Sequence, residues 1–507
     1  MKAAYSSPEL WLIILHLPLL ALSSDCDNRN VFLACNTLQA SLGRSIIQDN
    51  HGPDYQSTIT GAWNLFNTQF QPTCIVFPRQ SSHVQVAMQS IYTFDVNYAV
   101  QAGGHSAMKG WNNVNDGILI SFKFMNNISY NPSKDTIILE PAVRWGESVT
   151  ALESQGVSPV GGRVDDVGTG LLLGGGLSFL SPTHGYAADN YVELDVVLVD
   201  GTLVTATASN EYSDLFRALK GGANRFGVVT RYEVRAIHTG SLIDKTWFGG
   251  SIAYPNTSFD AVAQAVSRYT RDVSDPNAAI LVYFAAIALP DASLTNLAIA
   301  NLYYNGTSQL PENIFGEFLS IPSIPESTML TSLSWPDIAF SLTEPLPSDG
   351  HGQTFACTVL AGDEDDSLYV DVVREWTNFT TSFRQEFNTS VLAFTPIPVS
   401  QIMIGRERGG NAFDSNHSSV IVPYNQIHVQ VTLPLGVPQM SPEMEEGRQL
   451  FIKQAPRSLG FPLYINECDA EQNVFETYGQ YEFLKQTYMK YDPTRFNIRR
   501  TAGPPGL

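Results

Sequence analysis

Basic charge is in short supply. The 507 residues carry 29 Lys and Arg against 49 Asp and Glu, a formal net charge of −20. Such a surface repels polyanions, which excludes nucleic acid and anionic membrane surfaces as partners. Metal-ligand spacing is missing too: none of the nine histidines falls in an HExxH run and none of the five cysteines in a CxxC, so no metal site is expected. Walker-A spacing is absent. The richest glycine cluster, Gly161 to Gly176, runs G-x-G-x-x-x-G from Gly168, one residue off the dinucleotide fingerprint and without its strand-loop-helix context.

Long apolar runs are confined to the N-terminus, where Leu10 to Leu22 is thirteen residues broken by His16 and Pro18, too short for a bilayer. With Lys2 ahead of it and Ala21-Leu22-Ser23 before Asp25, it reads as a signal peptide over residues 1–24. A secreted, soluble protein is expected. Cys26, Cys35, Cys74, Cys357 and Cys468 all lie beyond that segment and would meet an oxidising compartment. Their odd number leaves at least one unpaired, and Cys35 with Cys74, near the first strand, is the expected pair. Six Asn-x-Ser/Thr sequons, at Asn127, Asn256, Asn305, Asn378, Asn388 and Asn416, are expected to be N-glycosylated on a eukaryotic secretory route.

What is present is a chain too long for one core, with 44% hydrophobic residues and three places where glycines bring backbone close to something. Residues 25–69 read as a helical and irregular lead-in, with order beginning at Cys74. A short strand from Cys74, an amphipathic helix from Ser81 through Ile91 and a strand from Asn97 to Gln101 form a βαβ-like unit. It delivers Gly103 and Gly104 straight into His105 and Ser106. Glycines can take φ > 0 and expose N–H groups, so the loop suits a phosphate or pyrophosphate. The cluster at Gly161 contains Leu171-Leu172-Leu173, which wants burial, so backbone pressed against a buried ligand is favoured over a surface loop. The run Val192 to Val199 with the turn Asp200-Gly201 predicts a hairpin. A helix over Ser213 to Leu219 then leads into Gly221, Gly222 and the strand Val228 to Val234. Further on, Ala279 to Phe284 and Ile427 to Thr432 alternate as strands, and the acidic run Asp363 to Asp366 reads as a solvated loop.

In this order, P-x-x-I-x-x-P at Pro72, G-G-H-S at Gly103, G-G-R-x-x-x-V-G at Gly161, L-G-G-G at Leu173, G-x-x-x-D-N at Gly185 and A-L-K-G-G at Ala218 resemble a known domain. It is the FAD-binding domain of the vanillyl-alcohol oxidase superfamily, in its berberine-bridge-enzyme-like branch. Tyr464-Ile465-Asn466, Tyr478-Gly479 and Tyr491-Asp492-Pro493 are similar to that branch's C-terminal segment. The fungal FAD-linked oxidoreductases that tailor specialised metabolites look nearest. The resemblance implies an α+β fold: a two-subdomain PCMH-type FAD-binding domain over residues 70–240, an α+β substrate domain built on an antiparallel sheet over 241–456, and a segment, 457–507, returning to the flavin.

Residue by residue, the resemblance implies that His105 bonds the 8α carbon of FAD, with Gly103, Gly104 and Ser106 as pyrophosphate loop. Gly168, Gly170, Gly174 and Gly175 correspond to a second loop under the flavin. Asp189, Asn190, Gly221, Gly222 and Val228 correspond to positions near the cofactor, and Asn466 to the tail asparagine facing the ring. Val164 stands where bicovalent relatives have cysteine, so a monocovalent FAD is expected. Gly162 matches a position whose small size leaves the flavin open to O2. Glu467 is the favoured base, on the expectation of an apolar surround that raises its pKa, with Tyr464 and His184 in reserve. The implied activity is an oxidase, a monomer acting on a small-molecule substrate and O2; a redox-neutral cyclase, a carbohydrate oxidase and a non-catalytic glycoprotein remain the alternatives.

Overall fold

The computed structural model describes residues 19–291, 293–342, 350–414 and 421–507, with side chains from Arg29 onward. Most of the segment read as a signal peptide, the side chain of Cys26 and the sequon at Asn416 lie outside the described residues. Among those described, no helix is long and apolar enough to cross a membrane.

The first half of the chain holds two larger sheets and a two-stranded one, Val157–Ser158 with Ile237–His238. In the first, Cys74–Val76 and Tyr98–Gln101 run parallel on either side of Ile118–Ser121. The helix Ser81–Phe94 crosses between them because Val84, Ala87, Met88 and Ile91, at helical spacing, are all buried; it stops where Asp95 turns left-handed, φ 52°. The second sheet is antiparallel, in the order Ile128–Asn131, Thr136–Leu139, Val228–Arg235, Tyr191–Val197 and Leu203–Thr207. Its last pair is the expected hairpin, with Gly201 at φ 86° in the turn.

The lead-in is more ordered than expected. Leu19–Leu42 is a helix, and Ile47–Gln48 pairs with Cys74–Val76. Asn64 is fully buried and donates to Ala107 O at 2.7 Å and Gln353 O at 3.0 Å, so it ties the two halves together. Cys35 is bonded to Cys74, and Cys357 to Cys468.

The second half is built on a seven-stranded antiparallel sheet, ordered 329–333, 247–255, 294–305, 278–288, 389–397, 424–435 and 351–361. Strand alternation separates its faces. Ile280, Val282 and Phe284 join Ile427, Val429 and Val431 in a core against the helices Phe259–Asp272 and Asp366–Ser382. Each such side chain contributes roughly 1.5–3 kcal/mol on burial. Their neighbours Leu281, Tyr283 and Ala285, with His428, Gln430 and Thr432, face the first half. The acidic run is a largely exposed turn over its first three residues, as expected, and its last, Asp366, starts a helix. Asp365 caps Ser367 N–H, and Asp366 binds Arg268 at 2.8 Å and Arg271 at 3.1 Å.

Candidate functional site

Between the two halves lies a cavity of about 810 Å³. Its floor is made where two glycine loops touch. A Cβ on Gly103 would lie 2.8 Å from Gly168 Cα, and one on Gly168 2.7 Å from Gly103 Cα, so only glycine permits the crossing. Gly104 takes φ 79°, which hands the chain to His105. Arg144 Nη2 donates to Gly103 O at 2.8 Å, and Asn112 Nδ2 to Gly104 O at 2.9 Å, fixing the loop from both sides. The His105 ring stacks on Trp63 with centroids 4.1 Å apart, and its Nδ1 lies 3.2 Å from Asp166 Oδ1. Burial pushes the Asp166 carboxyl up, but His105 and Arg144 outweigh it and hold the group below the usual range.

The tail closes the far side. A Cβ on Gly174 would overlap Asn466 Oδ1, while Asn466 Nδ2 donates to Leu171 O and to the Tyr464 hydroxyl, both at 2.9 Å. Glu467 pairs with Arg163 Nη2 at 2.9 Å, and Arg163 Nη1 reaches Thr395 Oγ1 at 2.6 Å. His428 Nδ1 lies 3.1 Å from the Glu467 carbonyl oxygen, which can only accept, so Nδ1 carries the proton. Burial pushes the pKa of this imidazole down.

Of the expected residues, Gly103, Gly104, His105 and Ser106 line the cavity, as do Gly168, Gly170, Gly174 and Val228. Tyr464, Asn466 and Glu467 line it from the tail. Six do not. Gly175 and Gly221 are small because Phe413 and Ala412 pack on them, and Gly222 because Ala218 O and Phe226 do. Asp189 accepts from Tyr186 N–H at 2.9 Å and from Asn411 Nδ2 at 3.0 Å, and Asn190 binds the carbonyls of His184 and Tyr186; both shape the turn behind the cavity. His184 sits in that turn as well, its imidazole pushed down to about 4 by burial and the Arg408 charge.

Two functional assignments need correction on geometry. Glu467 is held by a guanidinium and lacks the apolar surround assumed for it. Gly162 lies under Trp145, whose Cδ1 would be 2.6 Å from an added Cβ, and does not line the cavity. Tyr464 is buried, which pushes its phenol far up. Sequence reading missed Trp63, Arg144, Arg163, Asp166, Asn224 and His428; only Arg163 and Asp166 lay inside a motif that could have flagged them.

Two buried polar atoms on the cavity wall, Asn112 Oδ1 and Asn224 Oδ1, have no hydrogen-bond partner in the protein, and His105 Nδ1 has none beyond Asp166. Buried groups of this kind are normally paired, so the wall is built for a polar ligand. A dinucleotide fits: glycine backbone for its phosphates, and an apolar slot for a ring system.

Residues 72–207 match the family model of an FAD binding domain. A bifunctional solanapyrone synthase of Alternaria solani is 30% identical over 92% of this chain and 87% of its own. An uncharacterized FAD-linked oxidoreductase of Arthroderma benhamiae is 27% identical over 89% of this chain and 90% of its own. A solved structure of berberine bridge enzyme, in a variant form, superposes with a TM-score of 0.71 at 15% identity, covering 93% of this chain and 100% of that one. The chain belongs to the FAD-linked oxidoreductases, and its fold is that of berberine bridge enzyme. In this FAD-dependent oxidoreductase the glycine loops and Asn466 are therefore the parts of the cavity wall that would hold the cofactor, and the sheet face is free to meet a substrate.

Proposed function

We propose that the protein is a secreted, N-glycosylated oxidase acting on a small, largely apolar organic molecule, with FAD bonded to His105 alone. The observation that carries this reading is continuity: the glycine loops and one face of the seven-stranded sheet line a single cavity. FAD, when bound, supplies the hydride acceptor and the path of electrons to O2. The protein supplies position. Leu281, Tyr283, Ala285, Ile287, Leu297 and Ile299 give an apolar wall, and His428, Gln430, Thr432 and Gln353 a hydrogen-bonding end. That asymmetry suits an apolar body with one polar group better than a sugar, which wants polar partners on several sides. Neutral His428, its Nδ1–H fixed on the Glu467 carbonyl, leaves Nε2 as the proton acceptor at the polar end. Val164 lines the cavity where bicovalent relatives have cysteine and offers no thiol for a second bond. Exposed Asn127, Asn256 and Asn378 support glycosylation.

A redox-neutral conversion such as a cyclisation in the same cavity is the second reading, because the Alternaria solani relative is a bifunctional synthase. The test compares metabolites of cells with and without the protein, then follows O2 and H2O2 as the purified protein consumes the metabolite found. Equimolar O2 uptake is expected. Conversion without O2 uptake establishes the cyclase, and FAD released intact by acid denaturation refutes the covalent bond.

A further inference from the structure

We propose that Asp166 is the positioning residue that activates His105 for its bond to FAD, an inference that rests on the covalent reading above. The side chains come from different loops, yet His105 Nδ1 and Asp166 Oδ1 stand 3.2 Å apart. Both atoms are shut off from solvent, and neither has a protein partner other than the other. A buried imidazole and carboxylate with only each other as partners form a couple in which the carboxylate orients the ring and can take its proton. The ring cannot swing away, because Trp63 stacks on it at an interplanar angle of 16° while the Trp63 backbone N–H donates to Gly104 O at 3.1 Å. Clamp and ring are thus tied to one loop. Arg144, bound to Gly103 O, adds a positive charge that with His105 keeps the Asp166 carboxylate ionised.

The chemistry asks for such a group. As the ring nitrogen of His105 bonds to the 8α carbon it gains positive charge, which an adjacent carboxylate stabilises, and the ring must then lose its proton. One C–H bond of the methyl group and one N–H bond of the ring break, one C–N bond forms, and the two electrons and two protons leave on O2 as H2O2. The Asp166 side chain is 38% exposed against 11% for His105, so a proton taken from the ring has a way out to solvent.

The test uses full-length apoprotein from riboflavin-depleted cells, incubated with FAD in air. The fraction of His105 peptide carrying the mass of FAD is followed by mass spectrometry, and total bound FAD by absorbance. Asp166→Asn and Asp166→Ala are expected to bind FAD and to form the bond about 10²-fold more slowly than wild type. Asp166→Glu, and formate added to the Ala variant, should restore much of the rate, which a merely structural role would not allow. Linkage at the wild-type rate in the Asn and Ala variants overturns the proposal. So does loss of FAD binding in those variants without rescue by Glu or formate, which would assign Asp166 to binding instead. A wild-type His105 peptide free of FAD overturns the covalent reading itself.

Discussion

His428 and Glu467 are joined by one hydrogen bond, and that bond decides which of them can move a proton. The Glu467 carboxylate is occupied by Arg163, whereas His428 is anchored through Nδ1, with the Gln430 side chain beside its ring. His428→Ala is therefore expected to slow flavin reduction by the identified substrate about 10²-fold or more. Glu467→Gln, which keeps the backbone carbonyl that anchors the imidazole, should cost less than about tenfold. Stopped-flow reduction of both variants checks this, and the reverse order would return the role to Glu467. Gly174 makes a different kind of prediction, because its missing Cβ is what admits Asn466. Gly174→Ala should lower the FAD content of the purified protein, measured by absorbance, by displacing the tail that covers the slot. Gly162→Val is a packing change against Trp145, with a lower melting temperature as its main effect.

At the level of elements, the strands around Cys74, Tyr98, Ile280 and Ile427 and the helix Ser81–Phe94 were legible in the sequence because burial writes a period of two or about 3.6 into neighbouring residues. In Ala278–Ala288 the even positions from 280 to 286 pack on helices and the odd ones from 281 to 287 face the cavity. The glycine loops were legible as motifs, and Gly103 and Gly168 show why: their contact tolerates no side chain. Trp63, Arg144 and His428 were not legible. Each reaches the site through a pairing across long stretches of chain, such as Arg144 to the Gly103 loop, that leaves no local pattern. Asp189, Gly221 and Gly222 misled for the opposite reason, since tight packing behind a site asks for the same small residues as contact with a ligand. The bond between Cys357 and Cys468 is another long-range link, at a sequence separation of 111, and it pins the tail carrying Asn466 and Glu467 to the edge strand His351–Ala361. Cys357→Ser should cost roughly 2–4 kcal/mol of stability. It should also loosen FAD retention, seen as faster loss of native flavin absorbance on mild heating in the variant than in wild type.

Across the whole molecule the tail acts as a strap. Arg225, beside the Gly221 turn, donates to the carbonyls of Asn497, Thr501 and Pro504, and Asn497 in turn donates to Arg225 O at 2.9 Å, so the C-terminus is bound into the FAD domain. The turn behind the cavity joins this structure to solution conditions through His184. Burial and the Arg408 charge push its imidazole down to about 4, against about 6.5 for an unfolded chain. Between those values the unfolded chain binds a proton that the folded one refuses, so stability must fall as pH drops from about 6.5 towards 4 and stay level above that window. His428 and His83 are shifted the same way by burial and add to the slope, while Asp189, whose buried carboxyl is pushed up, works against it. Melting temperatures measured between pH 7.5 and 4.5 should therefore decline below about 6.5, and less so in His184→Asn. An equal decline in that variant would remove His184 from the account.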